Sequence, residues 1–198
     1  MTISNDRLIR LFDVEARSMG EAENRELIAE GYAAKFNSPT VLFEVDGVEY
    51  REVILPGAFD GADMSDVIFQ FDHKGKVLAR NSNGTLEFNT DAVGLKIKAL
   101  LHGTKEGREL HEEIDGGYVN KMSFRFKVGE ERYDRATRTR TIVKFKKIYD
   151  VSAVSIPAYD DTSISARSFF EAEAEKEKRE AADAEQRQRL ILLLKTFS

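Results

Sequence analysis

The chain contains no cysteine. That excludes disulfides, thiol nucleophiles and cysteine-ligated zinc. Histidine is nearly as scarce: His73, His102 and His111 are the only ones, so imidazole chemistry has few candidates. No apolar run approaches the length of a membrane span, and the opening MTISNDRLIRLFDVEARS has no apolar stretch of signal-peptide size, so no membrane association is expected. A net charge of −5 argues against a chain-wide polyanion-binding surface, and no direct nucleic-acid role is expected. What is present is 198 residues, 41% of them apolar, with 13 phenylalanines. That suits one packed domain plus an appendage.

Residues 1–168 read as mainly β with helices, an α+β domain, and 169–198 as a charged helical tail. Strands are expected over 8–14, 27–36 and 67–73, and hairpins over 41–50, 85–101 and 130–150. The tight turn Asp46-Gly47 sits between alternating apolar runs, a type I′ signature. A basic tip (Arg135, Arg138, Arg140) closes the 130–150 hairpin. Thr104 caps a helix that Gly116-Gly117 ends, with Leu110 and Ile114 on one face. The stretch 169–188 is rich in Glu, Ala, Lys and Arg without Gly or Pro, and ends near Leu190-Ile191-Leu192-Leu193-Leu194. Its propensity is helical, but its polar middle cannot dock along its length.

The most informative stretch is 118–128. At the two-residue period of a strand, Tyr118, Met122, Phe124, Phe126 and Val128 share an apolar face, and Lys121, Ser123, Arg125 and Lys127 the opposite one. A serine between two cations on a rigid strand suits a nucleophile that must develop negative charge. Taken alone, the pattern is far more often that of a solvent-facing serine on a half-buried strand.

A serine hydroxyl needs a base, and the base an orienting partner. His73 is the best base, ending the apolar strand 67–73 with Val67, Phe69 and Phe71 on its face. His111 reads as a surface helix residue and His102 as a turn residue. Asp72 neighbours His73, but successive strand side chains point to opposite faces. Asp150 is better placed, because it interrupts the stripe Ile148, Asp150, Ser152, Val154 with a carboxylate that needs a partner. A strand-end aspartate making a turn is the open alternative. Ser152 and Ser155 are rival nucleophiles that fit core packing better.

Five segments in this order resemble the prohead (head maturation) serine proteases of tailed phages: GYAAKFNS (31–38), REVILPGAFD (51–60), FDH (71–73), KMSFRF (121–126) and IYDVSAVSIPAYDDTSISAR (148–167). The resemblance implies a histidine base at His73, a serine nucleophile at Ser123 and an acidic third member at Asp150, where the family more often has glutamate. Lys74 stands where an acidic residue commonly follows the histidine, and Arg125 replaces the glycine of F-G-F. Phe124 and Arg125 are therefore candidates for the oxyanion and substrate side.

The same resemblance implies a closed or nearly closed β-barrel flanked by helices, like the herpesvirus assembly proteases. In those a second histidine replaces the acid, which keeps His102 as an alternative third member. It further implies an endopeptidase acting in the host cytoplasm inside the immature prohead. Its substrates would be the major capsid protein, the scaffold protein and the protease itself, with no metal or organic cofactor. Homo-oligomerisation stays open. The alternative is a non-enzymatic capsid-assembly or tail-tube-like protein on a related barrel. A metal-dependent hydrolase built on His73, Asp72 and Asp150 lacks recognisable ligand spacing.

Overall fold

The structure, a computed structural model, describes residues 8–20, 26–155 and 159–196. The chain divides into two compact units, 1–162 and 163–198. Among the described residues, the first holds eleven strands, one complete α-helix and a short 3-10 turn at Asn81–Asn83. β1 (Leu8–Asp13), β4 (Thr40–Val45), β5 (Val48–Ile54), β6 (Ile68–Phe71), β7 (Lys74–Arg80), β10 (Lys121–Asp134) and β11 (Thr139–Val154) form a seven-stranded sheet. β2 (Glu15–Met19), β3 (Glu26–Lys35), β8 (Leu86–Thr90) and β9 (Gly94–Leu100) form a four-stranded sheet in the order β2-β3-β9-β8.

The expected barrel is not there. Each sheet is open among the described residues, with β1 and β4 at the ends of the main path of the larger one and β2 and β8 at the edges of the smaller. The physical reason lies in β11, whose length lets one strand serve two neighbours. Its first part pairs in parallel with β5 at 139–142, and its last part with β6 at 150–153. The sheet branches at β11 instead of closing on itself.

The two sheets share one core. Met122, Phe124 and Phe126 of β10 face Ala153, Val151 and Ile148 of β11 across the ladder, and all are buried. Phe124 stacks on Phe126 at 4.7 Å, and Phe145 meets Phe126 edge-on at 4.9 Å; such paired rings add about 0.5–1.5 kcal/mol beyond the area they bury. Where β1 hands the chain to β2, the backbone of Asp13 passes so close to β3 that a Cβ on Gly31 would lie 2.4 Å from its carbonyl oxygen. Only glycine fits there.

The capped helix is α1 (Lys105–Asp115), with Thr104 Oγ1 accepting from Gly107 N at 2.9 Å, and Leu110 and Ile114 buried. The hairpin at 46–47 also follows the sequence reading, since Asp46 and Gly47 have φ of 51° and 78°, as a type I′ turn requires. Three readings change. Tyr118 lies outside the strand and is 85% exposed. His111, expected at the surface, is buried, and its Nε2 pairs with the Arg17 carbonyl at 3.1 Å, tying α1 to β2. Arg140, expected at a basic tip, is buried inside β11. α2 (Tyr159–Thr196), which makes up most of the second unit, is one continuous helix, mostly exposed over 171–192. The sequence pattern before Pro157 predicts a strand over 151–156; β11 covers it to Val154, and Ile156 lies outside the described residues.

Candidate active site

β10 and β11 run antiparallel through the middle of the larger sheet, with Ser123 opposite Ser152 and Arg125 opposite Asp150. Directly opposed residues share a face. That face therefore carries Ser123 and Arg125 on one strand and Asp150 and Ser152 on the next. β6 adds Ile68 beside Asp150 and Gln70 beside Ser152. The other face is the phenylalanine core.

Asp150 reaches this face because of a bulge. One step along β10, from Arg125 to Phe126, matches two steps along β11, from Asp150 to Ile148. The extra residue, Tyr149, switches the alternation. Ile148 turns to the core opposite Phe126, and Asp150 turns away from it. The expected stripe Ile148-Asp150-Ser152-Val154 is thus broken, and Asp150 belongs instead to a polar pair with Ser152.

His73 arrives by a second irregularity. The strand expected over 67–73 ends at Phe71, and the chain reverses into β7, a strand the sequence reading did not anticipate. Phe71 pairs with Lys74, leaving Asp72 and His73 as the loop, with φ of 47° and 55°. Positive φ at both central residues is the type I′ geometry. Had the strand continued, His73 would lie with Phe69 on the core side. The turn carries it to the opposite side, where Nδ1 hydrogen-bonds Asp150 Oδ1.

The resulting cluster is buried. Ser123 is fully buried, and His73 and Asp150 are 8% and 4% exposed. Asp150 Oδ1 also accepts a hydrogen bond from Ser152 Oγ at 3.1 Å. A neutral ring that donates from Nδ1 to the carboxylate has Nε2 as its acceptor. Among the described residues the buried side-chain polar atoms without a hydrogen-bond partner are His73 Nε2 and Ser123 Oγ. Leaving such a group unsatisfied costs about 1–3 kcal/mol, so each of the two calls for a reason.

The other candidates fall elsewhere. His102 is exposed in the turn before α1, where its carbonyl accepts from Arg108 at 2.7 Å. Phe124 points its ring into the core, so its side chain is not part of this face. Arg125 is half-buried on the serine side. Asp72 spends both carboxylate oxygens on Ser155, so the triplet His73, Asp72 and Asp150 is not gathered. No cluster of three or more potential metal ligands occurs among the described residues, nor a helix long and apolar enough to cross a membrane. Two polar contacts beside these residues are not legible as strand pattern: the Ser152 hydroxyl on Asp150, where packing is the sequence expectation, and the Asp72 carboxylate on Ser155. Asp72 and Gly75 around the histidine are turn residues that signal the hairpin.

A family model described as Caudovirus prohead serine protease matches residues 12–177. No curated protein matches the sequence. Among solved structures, the chain is similar to the bacteriophage T4 capsid assembly protease, gp21, with a TM-score of 0.49 and 12% identity, over 77% of this chain and 98% of that chain.

Proposed function

Because the chain belongs to the caudovirus prohead serine protease family and is therefore a serine protease, we propose that Ser123 is its nucleophile, His73 its general base and Asp150 the group that orients the base. The observation that carries this reading is the pair of buried, unpartnered atoms, one a hydroxyl and the other a ring acceptor, with the far side of the same ring held by a buried carboxylate. A donor and an acceptor left unsatisfied together are complementary, and catalytic hydrogen bonds are often long before substrate binds.

In the proposed reaction Ser123 Oγ attacks the scissile carbonyl carbon while His73 Nε2 takes its proton. The tetrahedral adduct collapses to an acyl-enzyme, and His73 returns the proton to the departing amine. Water, deprotonated by the same nitrogen, then releases the acid. Asp150 holds the tautomer and stabilises the imidazolium, and Arg125 supplies positive charge near the developing oxyanion. Because Ser123 is enclosed in this structure, a peptide reaches it only after the surrounding side chains part. The substrates we propose are the major capsid protein, the scaffold and the protease itself, processed inside the immature shell in the host cytoplasm. Residues 169–198 would act as a separate targeting element for the scaffold.

The test is coexpression with capsid and scaffold proteins. Ser123→Ala and His73→Ala should each permit shell assembly but slow processing by at least about a thousandfold, read as full-length bands on a gel. Continued processing by the Ser123→Ala chain would remove Ser123 as nucleophile.

A further inference from the structure

Asp72 and His73 form the entire loop between β6 and β7, and both adopt left-handed φ. Glycine occupies such loops most readily; aspartate and histidine adopt left-handed φ more often than most other residues, but each still does so only as a minority conformation. Small rotations in so short a turn would swing the imidazole, a long lever, away from both Asp150 and Ser123. Something must hold the loop.

We propose that Asp72 is a positioning residue, fastening the turn that carries the base to the strand that carries the acid. Its Oδ1 accepts from Ser155 N at 2.8 Å and its Oδ2 from Ser155 Oγ at 2.7 Å, while its own N–H donates to the Ala153 carbonyl at 2.9 Å. An aspartate that merely shapes a turn bonds the backbone two residues on. This one reaches 83 residues along the chain, to the residue directly after β11. β11 supplies Asp150, and its ladder with β10 fixes Ser123. The clamp and the His73–Asp150 hydrogen bond therefore hold the loop to one strand at two points. With both in place the ring has one orientation relative to the serine. With the ring bond alone it can pivot about Asp150.

The inference rests on the assignment of His73 as base, and the experiment separates the two. Acylation of the full chain by a fluorophosphonate probe is measured as a limiting rate and a half-saturating concentration, with Ser123→Ala as the blank. Asp72→Gly is the informative variant, because glycine suits the positive φ and keeps the hairpin while removing the clamp. The limiting rate should fall roughly 10- to 100-fold, the scale of a misplaced catalytic group, with half-saturation and thermal midpoint unchanged. Asp72→Asn should recover most of the rate, since asparagine tolerates the same φ and its amide can accept from Ser155 N–H and donate to Ser155 Oγ. Adding Ser155→Ala to Asp72→Gly should lower the rate no further, because both changes break one interaction. A wild-type limiting rate in Asp72→Gly overturns the inference. So does a loss that follows the thermal midpoint and that asparagine does not rescue. Wild-type labelling no faster than the Ser123→Ala blank overturns the site assignment itself, and the clamp's role with it.

Discussion

Ser152 places its hydroxyl on the same Asp150 oxygen that receives the His73 ring, directly across the ladder from Ser123. That position separates two roles that sequence alone leaves mixed. As a rival nucleophile it would be lost outright on removal. As a donor to Asp150, its removal should weaken catalysis without ending it, because a hydrogen bond to a charged group is worth about 1.5–3 kcal/mol. Ser152→Ala should therefore keep the fold and lower the acylation rate by roughly 10- to 100-fold. Mass spectrometry of the trapped adduct should still find the label on Ser123; label lost from Ser123 in this variant would reverse the assignment. At this scale the sequence was informative because the chemistry is scarce. Few histidines and no cysteine left His73 almost alone as a base. What the sequence hid was burial: a serine between two cations reads as solvent-facing, yet Ser123 is enclosed.

Elements that follow a simple period were legible, and those that break it were not. α1 and the Asp46-Gly47 hairpin carry local signals, a capping hydroxyl and a turn dipeptide, and both stand as read. The proposed site depends on two interruptions of the strand period, the Tyr149 bulge and the Asp72–His73 turn. Each moves one of its side chains to the face that strict alternation denies it. Arg140 shows the same limit in the long hairpin. A run of arginines suggests a solvated tip, but the fold draws Arg140 inward, where its guanidinium bonds Glu131 of β10 at 2.7 Å and Glu52 of β5 at 3.4 Å. Three strands meet on one cation. Arg140→Ala should destabilise the unit by about 3–5 kcal/mol, because a buried guanidinium that pairs with both Glu131 and the buried Glu52 is removed. Glu131→Ala should cost less, since that carboxylate is 27% exposed. Urea denaturation of the two variants tests the order; equal losses would mean that Glu52 is compensated by other groups.

On the scale of the whole molecule, the family match ends at residue 177, while α2 continues to Thr196. The stretch beyond the match is polar until Leu190, Ile191 and Leu192, which are 53%, 53% and 65% exposed. An isolated helix gains little from such a cluster, and pairs such as Glu175–Arg179 at 3.9 Å contribute only about 0.3–0.5 kcal/mol each. The apolar end is better explained by a binding partner than by the helix's own stability. Each of its side chains could yield about 1.5–3 kcal/mol on full burial. A chain ending at 177 keeps the matched span and every residue of the proposed site. It should therefore cleave a test peptide at the wild-type rate, yet enter assembling shells at least about tenfold less well, counted as protease per capsid protein in purified particles. Replacing Leu190, Ile191 and Leu192 together by serine in the full-length chain should reproduce the defect with the helix length intact. If the truncated chain enters shells normally, the scaffold-targeting role of the tail fails. If it loses peptide cleavage as well, the segment beyond 177 supports the catalytic unit, and the division of labour between the two units is wrong.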